Sequence, residues 1–159
     1  MQRRAFESGF TIIELMTVLV IAGVLLAIAL PSFNDMLARR RVEGQANELV
    51  TDLAYAKSEA VQRNRNVALF TGGGGTCYTI AVWTTGTGSC NCACTGGPVE
   101  LKTVALSNGV AVTNGVTFDF EPVRGALQPA TAASAAVSLG SRTYTVSVTA
   151  YGRVTPFSQ

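Results

Sequence analysis

The N-terminal part of the chain is almost entirely apolar. No charged residue occurs between Leu15 and Phe33, and the 21 residues from Phe10 to Leu30 would form a helix of roughly 31 Å, close to the hydrocarbon thickness of about 30 Å of a bilayer. This length predicts a membrane-spanning helix. Glu14 places a carboxylate inside it, and an ionisable group at that depth is expected to have a partner.

A second hydrophobic pattern follows Pro31. Apolar residues recur at spacings of three and four, which places them on one face of a helix. They are Val42, Ala46, Leu49, Leu53, Ala56 and Ala60. The opposite, polar face is assigned to Glu43, Gln45, Asp52 and Lys57. We therefore predict an amphipathic helix that ends near Asn64 and Asn66 and packs on a sheet.

From Val67 onward the pattern changes to short runs of β-branched and aromatic residues between turn residues, which is typical of strands. The candidate strands are VALF, YTIAVW, VELKTVAL, VTFDF, AAVSLG and TYTVSVTA. The predicted fold class is α+β, with a long N-terminal helix on an antiparallel sheet. TGGGGT and TTGTGSCNCACTGGP have loop composition, and the first lacks the lysine and strand-to-helix context of a phosphate-binding loop.

Composition narrows the function classes. The formal net charge is only +2, so charge alone does not indicate a nucleic-acid-coating protein. The chain has no histidine and no recognisable nucleophile motif, which disfavours an enzyme, and no cofactor or metal is expected. Asp119 and Glu121 alternate with phenylalanines and are interpreted as a solvated strand face.

The apolar N-terminal segment has three interpretations. A cleaved secretory signal could use Ala27-Ile28-Ala29, and an uncleaved anchor would explain the length. Neither explains why Gly9 precedes an aromatic residue and Glu14 follows four residues beyond it. The segment from Gly9 to Leu15, GFTIIEL, resembles the class III signal of type IV pilins and of the pseudopilins of type II secretion.

This resemblance implies processing and assembly. A prepilin peptidase would cut between Gly9 and Phe10 and methylate the new amine of Phe10. In a bundle of subunits, that amine would pair with Glu14 of a neighbour. The segment boundaries follow: leader 1–9, transmembrane and filament-core helix 10–30, amphipathic helix 31–65, and β-rich domain 66–159. Since Pro31 and Gly23 weaken helicity, the long helix is expected to kink or partly melt during assembly.

The resemblance can be narrowed to one group. ANELVTDLAYAKSEAVQRNRNVALF and FEPVRGALQPATAASAAVSLGSRTYTVSVTAYGRV resemble the helix end and C-terminal half of GspH/FimT-type minor pilins and pseudopilins, the latter with a last strand ending at Gly152-Arg153. This implies a minor type IV pilin that assembles with other pilins and helps to initiate the pilus. The alternative is a GspH-like minor pseudopilin of type II secretion.

The resemblance to pilins and the charges at the N-terminus together predict where the protein is located. Arg3 and Arg4 precede the apolar segment, so the positive-inside bias leaves the N-terminus in the cytoplasm and the β-rich domain in the periplasm. We expect a single-pass protein of the bacterial inner membrane, which moves to a cell-surface pilus on assembly.

The four cysteines allow two interpretations. Cys77, Cys90, Cys92 and Cys94 could bind zinc, but the Cys-x-Cys-x-Cys spacing is a poor match to zinc knuckles. Export favours two disulfides, with three possible pairings. A bridge from Cys77 would pin the YTIAVW strand to the following loop. Because adjacent Cys-x-Cys residues are awkward to join, at least one bridge is expected to cross between distant strands.

Some members of this group bind DNA, which makes double-stranded DNA a candidate partner. Their C-terminal Gly-Arg-x-Arg element corresponds here to Gly152-Arg153-Val154-Thr155, so the second arginine is missing. The tentative DNA-binding residues are Arg142 and Arg153, which could cluster with Arg124. The basic run Arg39-Arg40-Arg41 is interpreted as an exposed helix turn near lipid headgroups or solvent, with DNA or subunit contact as the alternative.

Overall fold

The computed structural model describes residues 9–83, 89–113 and 115–158. The basic positions Arg3 and Arg4, and part of the loop before Cys90, lie outside these residues. The described chain divides into two compact units, one up to Leu37 and one from Ala38 onward. A single helix, α1, covers Ile12–Arg63, and every described strand belongs to the second unit.

The strands follow α1 in chain order. They are β1 (Val67–Gly72), β2 (Cys77–Val82), β3 (Ser89–Cys90), β4 (Cys94–Thr95), β5 (Val99–Ala105), β6 (Ala111–Val112), β7 (Thr117–Phe120), β8 (Ala133–Leu139), β9 (Arg142–Val148) and β10 (Val154–Ser158). A 3-10 turn, Gly73–Gly75, joins β1 to β2. The α+β architecture is therefore the one expected from the change of hydrophobic period.

The first unit exposes its apolar side chains. Phe10 is 84% exposed, and large apolar residues remain exposed along the helix as far as Ile28. Among the described residues, α1 is long and apolar enough to cross a membrane. In the described part of the chain these side chains form a large exposed apolar surface, which is typical of a segment that contacts lipid or other helices.

In the second unit, the apolar stripe of α1 is buried as predicted. All six stripe residues, from Val42 to Ala60, are at most 2% exposed and belong to one hydrophobic cluster with the strands. α1 ends at Arg63, and Asn64 adopts a left-handed conformation with φ 52°, a common helix stop. Both the stripe and the helix end agree with the sequence pattern.

Two four-stranded sheets complete the core. One has the order β5-β2-β1-β7 and the other β10-β9-β8-β6, and all their pairings are antiparallel. In the first sheet Leu69 lies opposite both Ile80 and Phe118. In the second, Val137 lies opposite Tyr144. Residues of both sheets join the cluster that covers the helix stripe.

Three expectations need correction. The last strand does not end at Gly152-Arg153: β9 ends at Val148, Gly152 forms a turn with φ 72°, and β10 follows. Asp52 does not lie on a solvated polar face, because it is only 4% exposed. Asp119 is half-buried rather than solvated. Asp52 is buried by its contacts with Tyr78 and Lys102 of the sheet, and Asp119 is contacted by Asn66.

Candidate functional site

The residues predicted to take part in cleavage and assembly lie at the start of α1. Gly9, Phe10 and Thr11 precede the helix, and Glu14 lies in its first turn. The backbone N–H of Glu14 donates to Oγ1 of Thr11 at 3.3 Å. The N–H of Leu15 donates to the Thr11 carbonyl at 3.1 Å. Thr11 therefore caps the helix directly after the predicted cleavage site.

Thr11 was not singled out from the sequence, although a signal was present. Thr11-Ile12-Ile13-Glu14 has the Ser/Thr-x-x-Glu spacing of a capping box, in which the first hydroxyl accepts from the amide three residues later. An acid in the first turn also interacts favourably with the positive end of the helix dipole. Glu14 is thus compatible with the helix start itself, and its side chain is exposed.

The cysteines form two disulfides, Cys77–Cys92 and Cys90–Cys94. The first joins the start of β2 to the later loop, with Cα atoms 5.5 Å apart, which confirms the expected bridge between distant segments. The second is local: Cys90 and Cys94 face each other across the β3–β4 hairpin. The bridged loop is therefore a small hairpin that the Cys77–Cys92 disulfide attaches to the start of β2.

The bridged hairpin packs on the glycine-rich turn. The backbone N–H of Gly73 donates to Oδ1 of Asn91. A Cβ on Gly73 would overlap Sγ of Cys92, and φ there is +60°. Glycine at this position thus permits close approach of two loops.

The structure does not bring Arg142 and Arg153 together. Arg142 begins β9, whereas Arg153 lies beyond its end, and a strand of that length separates them by about 20 Å. Arg124 and Arg153 do share one end of the domain, because a Cβ on Gly152 would overlap the Gly125 carbonyl oxygen. The predicted three-arginine cluster is therefore wrong for Arg142.

Lys57 holds the turn that carries Arg153. Its Nζ donates to the carbonyl oxygens of Gly152 at 3.1 Å and Tyr151 at 3.5 Å. Tyr151 is 86% exposed and, with Arg124, lines a cleft of about 640 Å³. Lys57 was assigned only to a polar helix face, and no local sequence signal indicates a contact with a turn about 95 residues away.

Asp119 lies near this cleft, because its hydrogen-bond partner Asn66 also contacts Gln128, which lines the cleft. Asn66 donates through Nδ2 to Oδ1 of Asp119 at 3.4 Å and to Oε1 of Gln128 at 3.1 Å. Burial raises the pKa of Asp119, and the hydrogen bond from Asn66 opposes that shift. Glu121 forms a loose ion pair with Arg124 at 3.9 Å. Asp119 and Glu121 therefore have different environments and do not form a paired-carboxylate site.

A polar contact connects α1 to the sheet interior. Nζ of Lys102 lies 2.7 Å and 2.8 Å from the two carboxylate oxygens of Asp52. The hydroxyl of Tyr78 donates to Oδ2 of Asp52 at 2.8 Å. Burial, and then the hydrogen bond to Asp52, raise the pKa of Tyr78 far above its ordinary value. The Asp52 carboxylate is thus satisfied inside the domain.

The basic run lies beside a groove. The groove has a volume of about 390 Å³. From α1 it is lined by Arg39, Val42 and Glu43, and from the start of β9 by residues that include Arg142 and Tyr144. Arg40 forms an exposed ion pair with Glu43 at 3.5 Å. The sequence assigns Arg39 to an exposed helix turn and Arg142 to the tentative DNA-binding residues. The structure places both at the surface of this groove.

Two protein-family models match separate parts of the chain. A family model described as Type II transport protein GspH matches residues 45–152, and one described as Prokaryotic N-terminal methylation motif matches residues 4–30. The crystal structure of the type IV minor pilin FimU of Pseudomonas aeruginosa aligns at TM-score 0.60 and 20% identity over 75% of this chain and 90% of that chain. The minor pseudopilin EpsH of the Vibrio cholerae Type 2 Secretion System aligns at TM-score 0.51 and 11% identity over 74% and 97%.

Curated relatives match over short stretches of the chain. The Type IV major fimbrial protein FimA of Dichelobacter nodosus is 49% identical over 39 residues, 24% of each chain. A fimbrial protein of Pseudomonas aeruginosa is 39% identical over 61 residues, 38% of this chain and 39% of that protein. The matched part of the chain therefore spans well under half the length of these relatives. The structural neighbours, at 20% identity or less, establish the fold.

Proposed function

The chain belongs to the family of the type II transport protein GspH, and we propose that it is a minor type IV pilin that helps to initiate pilus assembly. A prepilin peptidase cuts between Gly9 and Phe10 and methylates Phe10, after which the subunit joins other pilins. The observation that supports this most directly is the N-terminal methylation motif over residues 4–30, followed by an exposed apolar helix that begins at Ile12.

The same proposal sets the location of each segment. Residues 1–9 are the leader, residues 10–30 span the inner membrane, residues 31–65 continue the helix into the domain, and residues 66–159 form the periplasmic domain. After assembly, residues 10–30 lie in the filament core and the domain lies on the pilus at the cell surface. The apolar length and the Arg3-Arg4 leader support this orientation.

Sequencing of the mature N-terminus and measurement of the intact mass test this proposal. We expect a chain that begins with methylated Phe10. Gly9→Val should leave the leader attached, because a bulkier residue then precedes the cut, whereas Gly44→Ala, an exposed helix position with open space around it, should be processed normally. A mature chain that begins at Leu30 would indicate a secretory signal and contradict the proposal.

A minor pseudopilin of type II secretion is the alternative, supported by the GspH family model and the fold shared with EpsH. Deletion of the gene separates the two functions. A minor pilin predicts loss of surface pili with secretion of type II substrates retained, whereas a pseudopilin predicts the reverse. Complementation with the unaltered chain is the control for either result.

DNA binding is a second candidate function. Its proposed surface contains Arg124 and Arg153 but not Arg142. Arg124 and Arg153 lie at one end of the domain beside the exposed ring of Tyr151. Two arginines support only weak, salt-sensitive phosphate contact. In gel-shift assays of the full chain in detergent with double-stranded DNA at low ionic strength, Arg124→Gln/Arg153→Gln should abolish retention and Arg142→Gln should preserve it. Absence of any salt-sensitive shift by the parent would remove DNA as a partner.

A further inference from the structure

We propose that Asn108 is a site of spontaneous chemical modification, at which the side-chain amide is lost and the turn acquires aspartate and isoaspartate. Asn108 and Gly109 lie between β5, an edge strand of the first four-stranded sheet, and β6, an edge strand of the second. The inference does not depend on assembly into a pilus. It assigns a chemistry to two residues that the proposed function does not use.

The two residues occupy the centre of a tight, exposed turn. The backbone N–H of Val110 donates to the Ser107 carbonyl at 3.2 Å. Both central residues have a positive φ, 58° at Asn108 and 76° at Gly109, a geometry that asparagine and glycine adopt most readily. Ser107, Asn108 and Gly109 are exposed, whereas Val110 is buried. Water therefore reaches the side chain of Asn108.

The reaction needs only the chain and water. The backbone nitrogen of Gly109 loses its proton to solvent and attacks Cγ of Asn108, which forms a new carbon–nitrogen bond and closes a cyclic imide. The bond from Cγ to Nδ2 breaks, and Nδ2 takes up a proton from solvent and leaves as ammonia. Water then opens the imide. Addition at Cγ gives aspartate, and addition at the main-chain carbonyl carbon gives isoaspartate, with no oxidation or reduction in any step.

The attacking nitrogen of Gly109 is accessible. Within the part of the chain that the structure describes, its N–H donates no hydrogen bond, and glycine has no Cβ to hinder ring closure. Nδ2 of Asn108 donates to the Ser107 hydroxyl oxygen at 3.0 Å. The backbone has to rotate about Asn108 before the attack, and exposed turn bonds of this kind open at little cost.

Asn64 provides a matched comparison within the same chain. It is also exposed, and it has a similar left-handed conformation with φ 52°. Arg65 follows it, and the N–H of Arg65 donates to the Ala60 carbonyl at 3.2 Å. The two asparagines therefore differ in the residue that supplies the attacking nitrogen, which is free and unhindered at Gly109 and hydrogen-bonded at Arg65.

The two products affect the turn differently. Each adds a carboxylate, which makes the formal net charge of +2 less positive. Aspartate keeps the backbone length and tolerates a positive φ, whereas isoaspartate inserts a methylene group into the backbone before Gly109. A Cβ on Gly109 would lie 3.2 Å from Cδ1 of Leu139, so this side of the turn has little spare room. We expect isoaspartate to displace the turn and aspartate to leave it in place.

The test incubates the full chain in detergent at mildly alkaline pH, which favours loss of the amide proton. Peptide mass spectrometry measures the rate at which each asparagine loses its side-chain amide. We expect this rate to be at least about tenfold higher at Asn108 than at Asn64, because the hydrogen bond of Arg65 has to break before that nitrogen can attack. A smaller ratio would overturn the proposal.

Variants assign the reaction to this turn. An isoaspartyl methyltransferase with a labelled methyl donor should label the peptide that contains residues 107–110 in the aged chain. Asn108→Gln, which would have to close a larger ring, should abolish this labelling, and Asn64→Gln is the control that should leave it unchanged. Thermal unfolding checks that each variant is folded. Asn114 also precedes a glycine and lies outside the described residues, so fragment spectra must separate the two positions. Modification at Asn114 alone would overturn the assignment.

Amide hydrogen exchange tests the effect on the turn. The aged chain is compared with freshly prepared Asn108→Asp, which has the added charge and an unaltered backbone length. We expect faster exchange at Ala111 and Val112 in the aged chain only, because these residues form β6 directly after the turn. Equal exchange in the two samples would show that isoaspartate does not displace the turn and would overturn that part of the inference.

Discussion

Glu14 connects the local structure of the helix start to assembly. Its amide is capped by Thr11 and its carboxylate is exposed in a segment with no protein core around it. An acid in a first turn is stabilised by the helix dipole, but the dipole would not neutralise the carboxylate inside the proposed filament of apolar helices. The amine created at Phe10 of a neighbouring subunit would supply the missing positive charge.

Replacement of Glu14 tests this pairing. Glu14→Ala should leave export and processing intact and reduce incorporation into filaments by about tenfold or more, because the neighbour's amine is then unpaired at membrane depth. Immunoblots of sheared pili against whole cells measure incorporation. Thr11→Ser, which keeps the capping hydroxyl, is a control that should assemble normally. Normal incorporation of Glu14→Ala would show that the pairing is wrong.

Asp119 gives a pH-dependent prediction. Burial raises the pKa of this carboxyl, so the folded chain holds the proton more tightly than the unfolded chain does. Its contribution to stability is therefore present at low pH and is lost as pH rises through the folded-state pKa. Asp119→Asn should become more stable relative to the parent as pH rises from about 4, the unfolded pKa of Asp, towards neutrality.

Urea unfolding midpoints at several pH values in this interval measure the Asp119 effect. Glu121→Gln is the control, since it removes a nearby carboxylate that lies outside β7. A difference between Asp119→Asn and the parent that stays constant with pH would contradict the assignment of the shift to Asp119.

At the scale of elements, the two disulfides differ in the chain length that they close. Cys77–Cys92 spans a sequence separation of 15 and Cys90–Cys94 a separation of 4. In the chain-entropy account, the first stabilises the folded state by about 3 kcal/mol and the second by about 2 kcal/mol. The longer bridge also holds the hairpin against the turn at Gly73.

Paired replacement by alanine tests the ranking of the disulfides. Cys77→Ala/Cys92→Ala should lower the free energy of unfolding by about 1 kcal/mol more than Cys90→Ala/Cys94→Ala does. Urea unfolding under non-reducing conditions measures both, and each paired variant leaves no unpaired thiol from its own bridge. The opposite order would indicate that the local hairpin contributes more to the domain than its loop length implies.

The polar contact between α1 and the sheet gives another prediction. Lys102→Met leaves the buried Asp52 carboxylate with Tyr78 alone, which should cost about 2–3 kcal/mol. Asp52→Leu/Tyr78→Phe/Lys102→Met replaces the whole contact by apolar groups and should lie within about 1 kcal/mol of the parent. Urea unfolding compares the variants. A triple variant less stable than Lys102→Met would show that the network itself is stabilising.

The elements that the sequence predicted correctly are those in which hydrophobic residues repeat at a regular spacing over many positions. The stripe from Val42 to Ala60 was visible because six buried residues repeat along the helix. β6 was missed because two residues show no alternation. β10 contains Pro156, which disfavours a strand assignment, and it is tolerated because β10 is at the edge of its sheet.

At the scale of the whole molecule, sequence reasoning located the residues with local signatures and missed the contacts between distant elements. Gly9, Phe10 and Glu14 form one short motif, and the cysteines are clustered. In contrast, Asp52 meets Lys102 across 50 positions, and Arg39 shares a groove with Arg142. Such neighbours depend on strand order and helix placement, which hydrophobic periodicity does not determine.

The distribution of buried residues predicts that the second unit folds alone. Every buried hydrophobic residue in the described chain lies at or beyond Val42, and the division into units falls at Leu37. Removal of residues 1–37 deletes no core side chain, so the free energy of unfolding should stay within about 1 kcal/mol of that of the full chain, both measured in one detergent. The shorter chain should also be soluble without detergent.

Leu53→Ala in the shorter chain is the positive control for this comparison. Leu53 is completely buried, and a cavity at such a site typically costs about 2–5 kcal/mol. The assay must resolve that loss for the comparison of the two lengths to be informative. If the shorter chain is unfolded, or loses as much stability as Leu53→Ala does, the apolar N-terminal segment stabilises the domain, and the two units are not independent.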